Sequence, residues 1–459
     1  MSEQEIREIL EANNQYLLLK HLDNLSEDKR SILIANLKKL DISSFFHIVK
    51  DTKDQKKFQY SEIKPAEVLE NSKVDESFFR SYGEKALKNG EVAFFMVAGG
   101  QGSRLGFEHP KGMFPISPVC SKTLFQMHCE KIHASGKYYG FTPRLFIMTS
   151  SSNHDETVKF FNENGRDWLN LNDIYFFKQR DLPAIDMNGN LILIDETNLF
   201  TAPDGHGGAL LALKEKNMTS IMHKLGIKYL SYFQVDNPLV KLADPVFIGL
   251  HIFNNADISS KVLAKRDASE KVGVAAIADG KPCIIEYSDL PYELAIKKDD
   301  DGKLLFNYGS IAIHIFSVDF IDRITTDALH LPYHIAKKKI PYFSPDTGYL
   351  INPETPNGIK FEQFIFDSIP LANKTVFYET LRDDEFAPLK NKEGDDSIKT
   401  CKDGISLFYK NWFKRAEIKF DDFERATVEV SSLFAIEYEQ FKNKIENYIN
   451  KVPIRLYIE

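Results

Sequence analysis

The chain has 459 residues, 43% hydrophobic and 27% charged, the composition of a folded protein rather than a disordered or low-complexity one. Its 58 Lys and Arg stand against 66 Asp and Glu, and a formal net charge of −8 argues against general affinity for nucleic acid or anionic membrane, which need surplus cations. Four scattered cysteines without a C-x-x-C pair argue against a disulfide framework or a Cys/His zinc site, and point to a reducing cytoplasm.

Met1–Lys20 is charged and has no apolar core of a signal peptide, and no stretch approaches the ~20 apolar residues that span a bilayer. In Glu3–Leu25 the apolar residues Ile6, Ile9, Leu10, Leu17, Leu18 and Leu22 recur near a 3.6 period, which predicts helix. A second helical run, with Ile32, Leu33, Leu37 and Leu40, follows Ser26 as its expected N-cap. Polar breaks fall at Asp51–Lys64 and Lys88–Gly90. From Glu91 the pattern changes to short apolar runs. Val92–Ala98, Leu145–Met148, Tyr175–Phe177, Tyr229–Val235, Val272–Ile277 and Ile311–Phe316 read as buried strands. Helix-like segments at Thr123–Ala134, Asp155–Asn162 and Gly208–Lys216 lie between several of them.

This alternation predicts an α/β fold with a mostly parallel central sheet, preceded by a helical N-terminal segment and followed by a small C-terminal domain. The expected division is 1–88, 89–390 and 391–459. Pro353–Gly358 is turn-rich, Lys390–Lys399 is a charged loop, and Leu407–Phe413 is strongly aromatic. The Lys-rich stretches Lys53–Lys57 and Lys337–Lys339 are short and read as solvated faces.

Chemistry enters at Ala98-Gly99-Gly100-Gln101-Gly102-Ser103-Arg104-Leu105-Gly106, directly after the first buried strand. Ligands of open α/β sheets sit at the carboxyl ends of strands, and glycines there let backbone N–H groups approach phosphate oxygens. The loop is not a P-loop, because no Lys follows Gly106, and its G-x-G-x-x-x-G spacing misses the dinucleotide fingerprint. Arg104 and Lys111, the latter in Pro110-Lys111-Gly112-Met113, add two cations suited to a triphosphate. A tight turn with solvated basic residues is the plainer reading of the glycines alone. The combined string is more specific.

At that string the chain resembles the UDP-N-acetylhexosamine pyrophosphorylases, within the UDP-sugar pyrophosphorylase family. Further matches follow in order: Phe176–Gln179 with Leu182-Pro183, Ala202–Gly208, Val235–Asn237, Val272–Val274, Glu286–Ser288, Phe306–Ile311 and Pro388–Asn391. The resemblance implies a Rossmann-like, GT-A-like nucleotidyltransferase fold. The implied reaction condenses UTP with a sugar 1-phosphate, N-acetylglucosamine 1-phosphate first, giving UDP-sugar and pyrophosphate with Mg²⁺ or Mn²⁺. The attacking sugar phosphate is already ionised, so such a site needs cations and a metal rather than a general base.

By the same resemblance, Arg104, Lys111 and Lys390 handle the phosphates. Ala98, Gly99, Gly100, Gln179, Pro203, Gly205 and His206 bind the nucleotide. Gly273, Glu286, Asn307 and Ser310 hold the sugar, and Asp236, closing an apolar run with Asn237 beside it, binds the metal. His206 and Ser310 stand where the family pattern has Asn, and Tyr308 where it has Ala. Glucose or galactose 1-phosphate therefore remain alternative substrates, and a non-catalytic nucleotide-sugar-binding protein the alternative without turnover. A monomer or homodimer is expected, with no nucleic-acid or membrane partner.

Overall fold

The computed structural model describes residues 1–54, 60–326, 331–418, 423–445 and 455–458. Most of the Lys53–Lys57 stretch lies outside them, whereas Lys337–Lys339 is exposed as expected. Two compact units emerge, each assembled from separated stretches: residues 1–59, 179–210 and 330–368 form the first, and 60–178, 211–329 and 369–459 the second. Neither follows the linear division expected at 88/89 and 390/391, because contacts between distant segments do not show in local composition.

In the first unit, helices Glu3–Ala12, Tyr16–Asn24, Glu27–Lys39 and Ile42–Asp54 bury Ile6, Leu10, Leu22, Leu33 and Leu37. Ser2 and Glu5 form a capping box at the first helix. Ser26 does occupy the N-cap of the third, but its side chain makes no capping bond. The apolar stripe has no partner within the N-terminal segment large enough to cover it. Leu182, Leu191, Leu193 and Phe361 complete this core from far along the chain. Gln15 fastens the contact, donating from Nε2 to the Gly189 carbonyl (2.9 Å) and accepting at Oε1 from the Leu191 N–H (2.8 Å).

The second unit is built on a ten-stranded mixed sheet with a parallel centre. Its strands are β1 (Ile63–Pro65), β2 (Val92–Val97), β3 (Leu145–Thr149), β4 (Ile174–Lys178), β5 (Tyr229–Gln234), β6 (Ile258–Ala264), β7 (Val274–Ala278), β8 (Lys281–Ile285), β9 (Tyr308–Ser317) and β10 (Thr375–Glu379). β4, β3, β2 and β5 lie side by side and parallel. Val92–Met96 are buried because β2 has a neighbour on either side and helices such as Leu124–Tyr139 complete the packing. β9 runs antiparallel to β5 and to β6, and β10 pairs parallel with β6. The sequence patterns did not mark β6 or β10: Ser259, Ser260 and Lys261 break the apolar run of β6 although all three are buried.

The aromatic run near the C-terminus lies on helix Ile398–Arg415, whose Tyr409, Trp412 and Phe413 share one core with Phe94, Ile147 and Phe233 of the sheet. The last sixty residues thus pack into the central unit instead of standing apart. Among the described residues no helix is long and apolar enough to cross a membrane.

Candidate active site

The four parallel strands give the site its position. Taken in chain order they lie 3-2-1-4, so the topology reverses between β2 and β5. A crevice opens outside the carboxyl ends of strands at such a switch point. β2 runs directly into Ala98–Gly106, and β5 runs directly into Val235, Asp236 and Asn237. Two separate motifs of the sequence therefore meet at the place where an α/β sheet binds its ligand.

On the β2 side the loop is held open by a residue the sequence patterns passed over. Asn153 is buried, and its Nδ2 donates to the carbonyls of Ala98 (2.9 Å) and Gly100 (3.3 Å) while its Oδ1 accepts from the Ser150 N–H (2.9 Å). It sits at the N-cap of helix His154–Asn164 without capping it, so a cap reading of Ser-Ser-Asn would have hidden its role. The Lys111 N–H also reaches the Gly100 carbonyl, at 3.1 Å. The glycines divide into two kinds. A Cβ on Gly102 would lie 2.7 Å from the Phe107 ring, so that glycine serves packing. A Cβ on Gly100 would meet nothing within 4 Å, and Gly100 is exposed, so its backbone faces open space. Arg104, in the short turn Ser103–Leu105, is exposed and forms no ion pair among the described residues.

On the β5 side Asp236 and Lys111 form a largely buried ion pair at 3.3 Å. Asn237 is committed to structure. Its Nδ2 donates to the Glu385 carbonyl (2.7 Å) and its Oδ1 accepts from the Ala387 N–H (3.2 Å). The Leu389 N–H then donates to the Asp236 carbonyl at 2.8 Å, which brings Lys390 to the same strand end. Lys390 itself rests 3.4 Å from the Asp396 carboxylate. Below, the buried His128 ring holds the Val235 carbonyl (3.0 Å), and burial lowers its pKa to about 3, so it serves as a neutral hydrogen-bonding post.

Among the described residues no three His, Cys, Asp or Glu side chains cluster as a ready-made metal cage. Asp236 offers a hard oxygen ligand at the switch point. That donor fits Mg²⁺ or Mn²⁺, which complete their shells with water and substrate phosphates.

The residues expected to hold the sugar lie at the β7–β9 margin of the same unit. The Ser310 N–H donates to the Gly273 carbonyl at 2.7 Å, and a Cβ placed on Gly273 would lie 3.8 Å from Glu286 Oε1. Asn307 precedes β9 and its carbonyl accepts from the Lys265 N–H (2.8 Å). Between Ser310 and His314 the pairing of β9 with β6 shifts register, and Ala312 takes φ +56°, a bulge that re-aims the strand where Ser310 projects. Burial, followed by the Glu379 and Glu70 carboxylates, raises the Tyr308 pKa to about 12.

The remaining residues expected to bind the nucleotide belong to the first unit. Gln179 is buried just past β4, and Pro203 ends the short strand Thr201–Pro203, paired with Asp181–Pro183. The loop after it is zipped to Gln363: the Gln363 N–H donates to the Asp204 carbonyl (2.7 Å), and the Gly207 N–H to the Gln363 carbonyl (2.8 Å). Gly205 adopts φ +88°, and Gly207 leaves no room for a Cβ, which would lie 2.6 Å from the Gln363 and Phe364 backbone. His206 accepts from the Ile365 N–H at Nδ1 (3.1 Å), and its ring stacks on Phe364 at 5.5 Å.

Residues 40–454 match the model of the UTP–glucose-1-phosphate uridylyltransferase family. The chain belongs to that family. It is 37% identical over 459 aligned positions to UDP-N-acetylglucosamine pyrophosphorylase of Saccharomyces cerevisiae, covering 94% of this chain and 95% of that one. The crystal structure of the uridine diphosphate N-acetylglucosamine pyrophosphorylase from Trypanosoma brucei, in complex with an inhibitor, superposes with a TM-score of 0.84 at 27% identity, covering 100% of this chain and 98% of that one. A UDP-glucose phosphorylase from the same organism reaches a TM-score of 0.62 at 15% identity, covering 93% and 91%. At that distance the likeness concerns the fold.

Proposed function

We propose that the protein is a uridylyltransferase that condenses UTP with N-acetylglucosamine 1-phosphate and releases pyrophosphate. The observation that carries this reading is the meeting of the glycine loop, Lys111, Asp236 and the Lys390 segment at the β2–β5 switch point. The relatives at 27–37% identity and near-complete coverage are named for the N-acetylglucosamine reaction, which favours that sugar over glucose or galactose.

An ionised oxygen of the sugar phosphate attacks the α-phosphorus of UTP in line, the bond from that phosphorus to the β-phosphate bridging oxygen breaks, and pyrophosphate leaves. No proton moves. The protein's task is to hold two polyanions together and neutralise them. Ala98, Gly99 and Gly100 lie toward the nucleotide phosphates, Gly100 offering the open backbone. Arg104 and Lys111 bind the β- and γ-phosphates, and Lys390 holds the phosphate that attacks. A Mg²⁺ or Mn²⁺ ion, when bound, withdraws charge from the phosphate oxygens. Asp236 would hold it, and Lys111 then turns from the carboxylate to a phosphate. Gln179, Pro203, Gly205 and His206 recognise uracil. Gly273, Glu286, Asn307 and Ser310 recognise the sugar, the Glu286 carboxylate accepting from its hydroxyls. We place the enzyme in the cytoplasm, as a monomer or homodimer.

A pyrophosphate-release assay over a panel of sugar 1-phosphates with Mg²⁺ tests the reading. The highest kcat/KM is expected with N-acetylglucosamine 1-phosphate. A preference for glucose or galactose 1-phosphate would reassign the sugar, and folded protein without turnover on any sugar would overturn the enzymatic reading.

A further inference from the structure

We propose that Asn153 is the positioning residue of the nucleotide loop: its buried amide turns two peptide units of Ala98–Gly106 so that their N–H groups face the ligand. The proposal rests on the reading of that loop as the nucleotide's. It adds to the site a residue that acts through the backbone alone.

Asn153 is 1% exposed and lies just past β3, the parallel neighbour of the strand that carries the loop. Its Nδ2 gives one hydrogen to the Ala98 carbonyl (2.9 Å) and the other to the Gly100 carbonyl (3.3 Å). Its Oδ1 accepts from the Ser150 N–H at 2.9 Å. Its own backbone carbonyl accepts from the Thr157 N–H at 3.0 Å, which fixes it to the start of helix His154–Asn164. The side chain thus ties the ends of β2 and β3 together, and it cannot rotate without losing all of its bonds. A neighbouring contact runs the same way, since Gln101 Nε2 donates to the Ser152 carbonyl at 3.0 Å.

In a trans peptide the C=O and the N–H point in opposite directions, and the described residues contain no cis peptide. Drawing the Ala98 and Gly100 carbonyls inward therefore turns the N–H groups of Gly99 and Gln101 outward. Neither N–H has a hydrogen-bond partner among the described residues. Gly100, between them, is exposed and borders open space. Backbone N–H groups aimed the same way form a surface for the acceptor oxygens of a ligand. The Lys111 N–H supports the Gly100 carbonyl as well, at 3.1 Å. Only an amide side chain meets the requirements at this position. A carboxylate has the same shape and could keep the Ser150 contact, but it has no hydrogen to give and would set its charge against two carbonyl oxygens.

The test compares the full chain with Asn153→Asp and with Asn153→Ala, which removes the same two donors without adding a charge and serves where the carboxylate hinders folding. Amide hydrogen exchange of the ligand-free protein should quicken by about tenfold or more at Ala98, Gly102 and Lys111, whose N–H groups bond to the Met148, His109 and Gly100 carbonyls. Val92–Met96 of β2 should exchange as in the wild type. In steady-state kinetics KM for UTP should rise about tenfold with kcat held within about threefold, because the nucleotide is gripped less well rather than reacted differently. Uniform acceleration across β2 and the loop would make Asn153 a stability residue and overturn the proposal. So would wild-type exchange in the loop, or a fall in kcat with KM for UTP unchanged. The exchange arm needs no turnover, so a wild-type protein inactive on every sugar 1-phosphate overturns the transferase reading alone.

Discussion

Two glycine-bearing loops, Ala98–Gly106 in the second unit and Ala202–Gly208 in the first, look alike in sequence and differ in what their glycines are for. In the first of them Gly100 stands in open space with its carbonyl tied back by Asn153 and Lys111, whereas Gly102 is required by packing. In the other, Gly207 is required because the chain lies directly against the backbone of Gln363 and Phe364. A glycine beside a ligand and a glycine beneath a crossing strand leave the same mark on a sequence. Only the neighbouring atoms tell them apart.

The comparison can be broken or sharpened by substitution. Arg104→Ala removes an exposed cation next to open backbone. It should lower kcat/KM for UTP by about 10²–10³-fold with an unchanged melting temperature, as expected for a lost transition-state contact. A fall in melting temperature instead would make Ala98–Gly106 a packing element like its counterpart. Gly207→Ala should do the opposite, costing about 3 kcal/mol of stability as overpacking against backbone, visible as a lower denaturant midpoint. If the variant keeps wild-type stability and loses only nucleotide affinity, the contrast between the loops fails.

Gly100→Ala should leave the denaturant midpoint in place and raise KM for UTP by about tenfold, because a methyl group would occupy the space proposed for phosphate. The smallest effect is expected for His206→Asn. An amide oxygen can still accept from the Ile365 N–H, so the loss is the ring stack on Phe364, about 1 kcal/mol by urea denaturation. A large gain or loss in sugar selectivity from this substitution would place His206 at the sugar rather than in the loop's packing.

Much of this site was legible before any coordinates. The strands carrying the glycine loop and Asp236 were recognisable because strands buried on both faces are continuously apolar. The order of family-like motifs then named the residues that could meet. Other parts were hidden for physical reasons. β6 runs through the sheet with Ser259, Ser260 and Lys261 all buried. Hydrogen bonds to His251 and His314 satisfy the two hydroxyls, and ion pairs to Asp244 and Glu385 satisfy the lysine. A polar triplet reads as surface until its partners are known. Asn237, the neighbour of Asp236 in the chain, is the clamp that fastens Glu385 and Ala387, which no local pattern showed.

The sequence by itself determined the α/β class, the apolar strands and the charged residues at their ends, because burial on both faces and phosphate chemistry each restrict residue type locally. The tertiary structure decided which of those ends lie together. It drew the N-terminal helices onto Leu182, Leu193 and Phe361 and folded the aromatic C-terminal helix into the sheet's own core. The reason is the same in each case: covering an apolar face or compensating a charge is a property of neighbours in space, and the chain order does not record them.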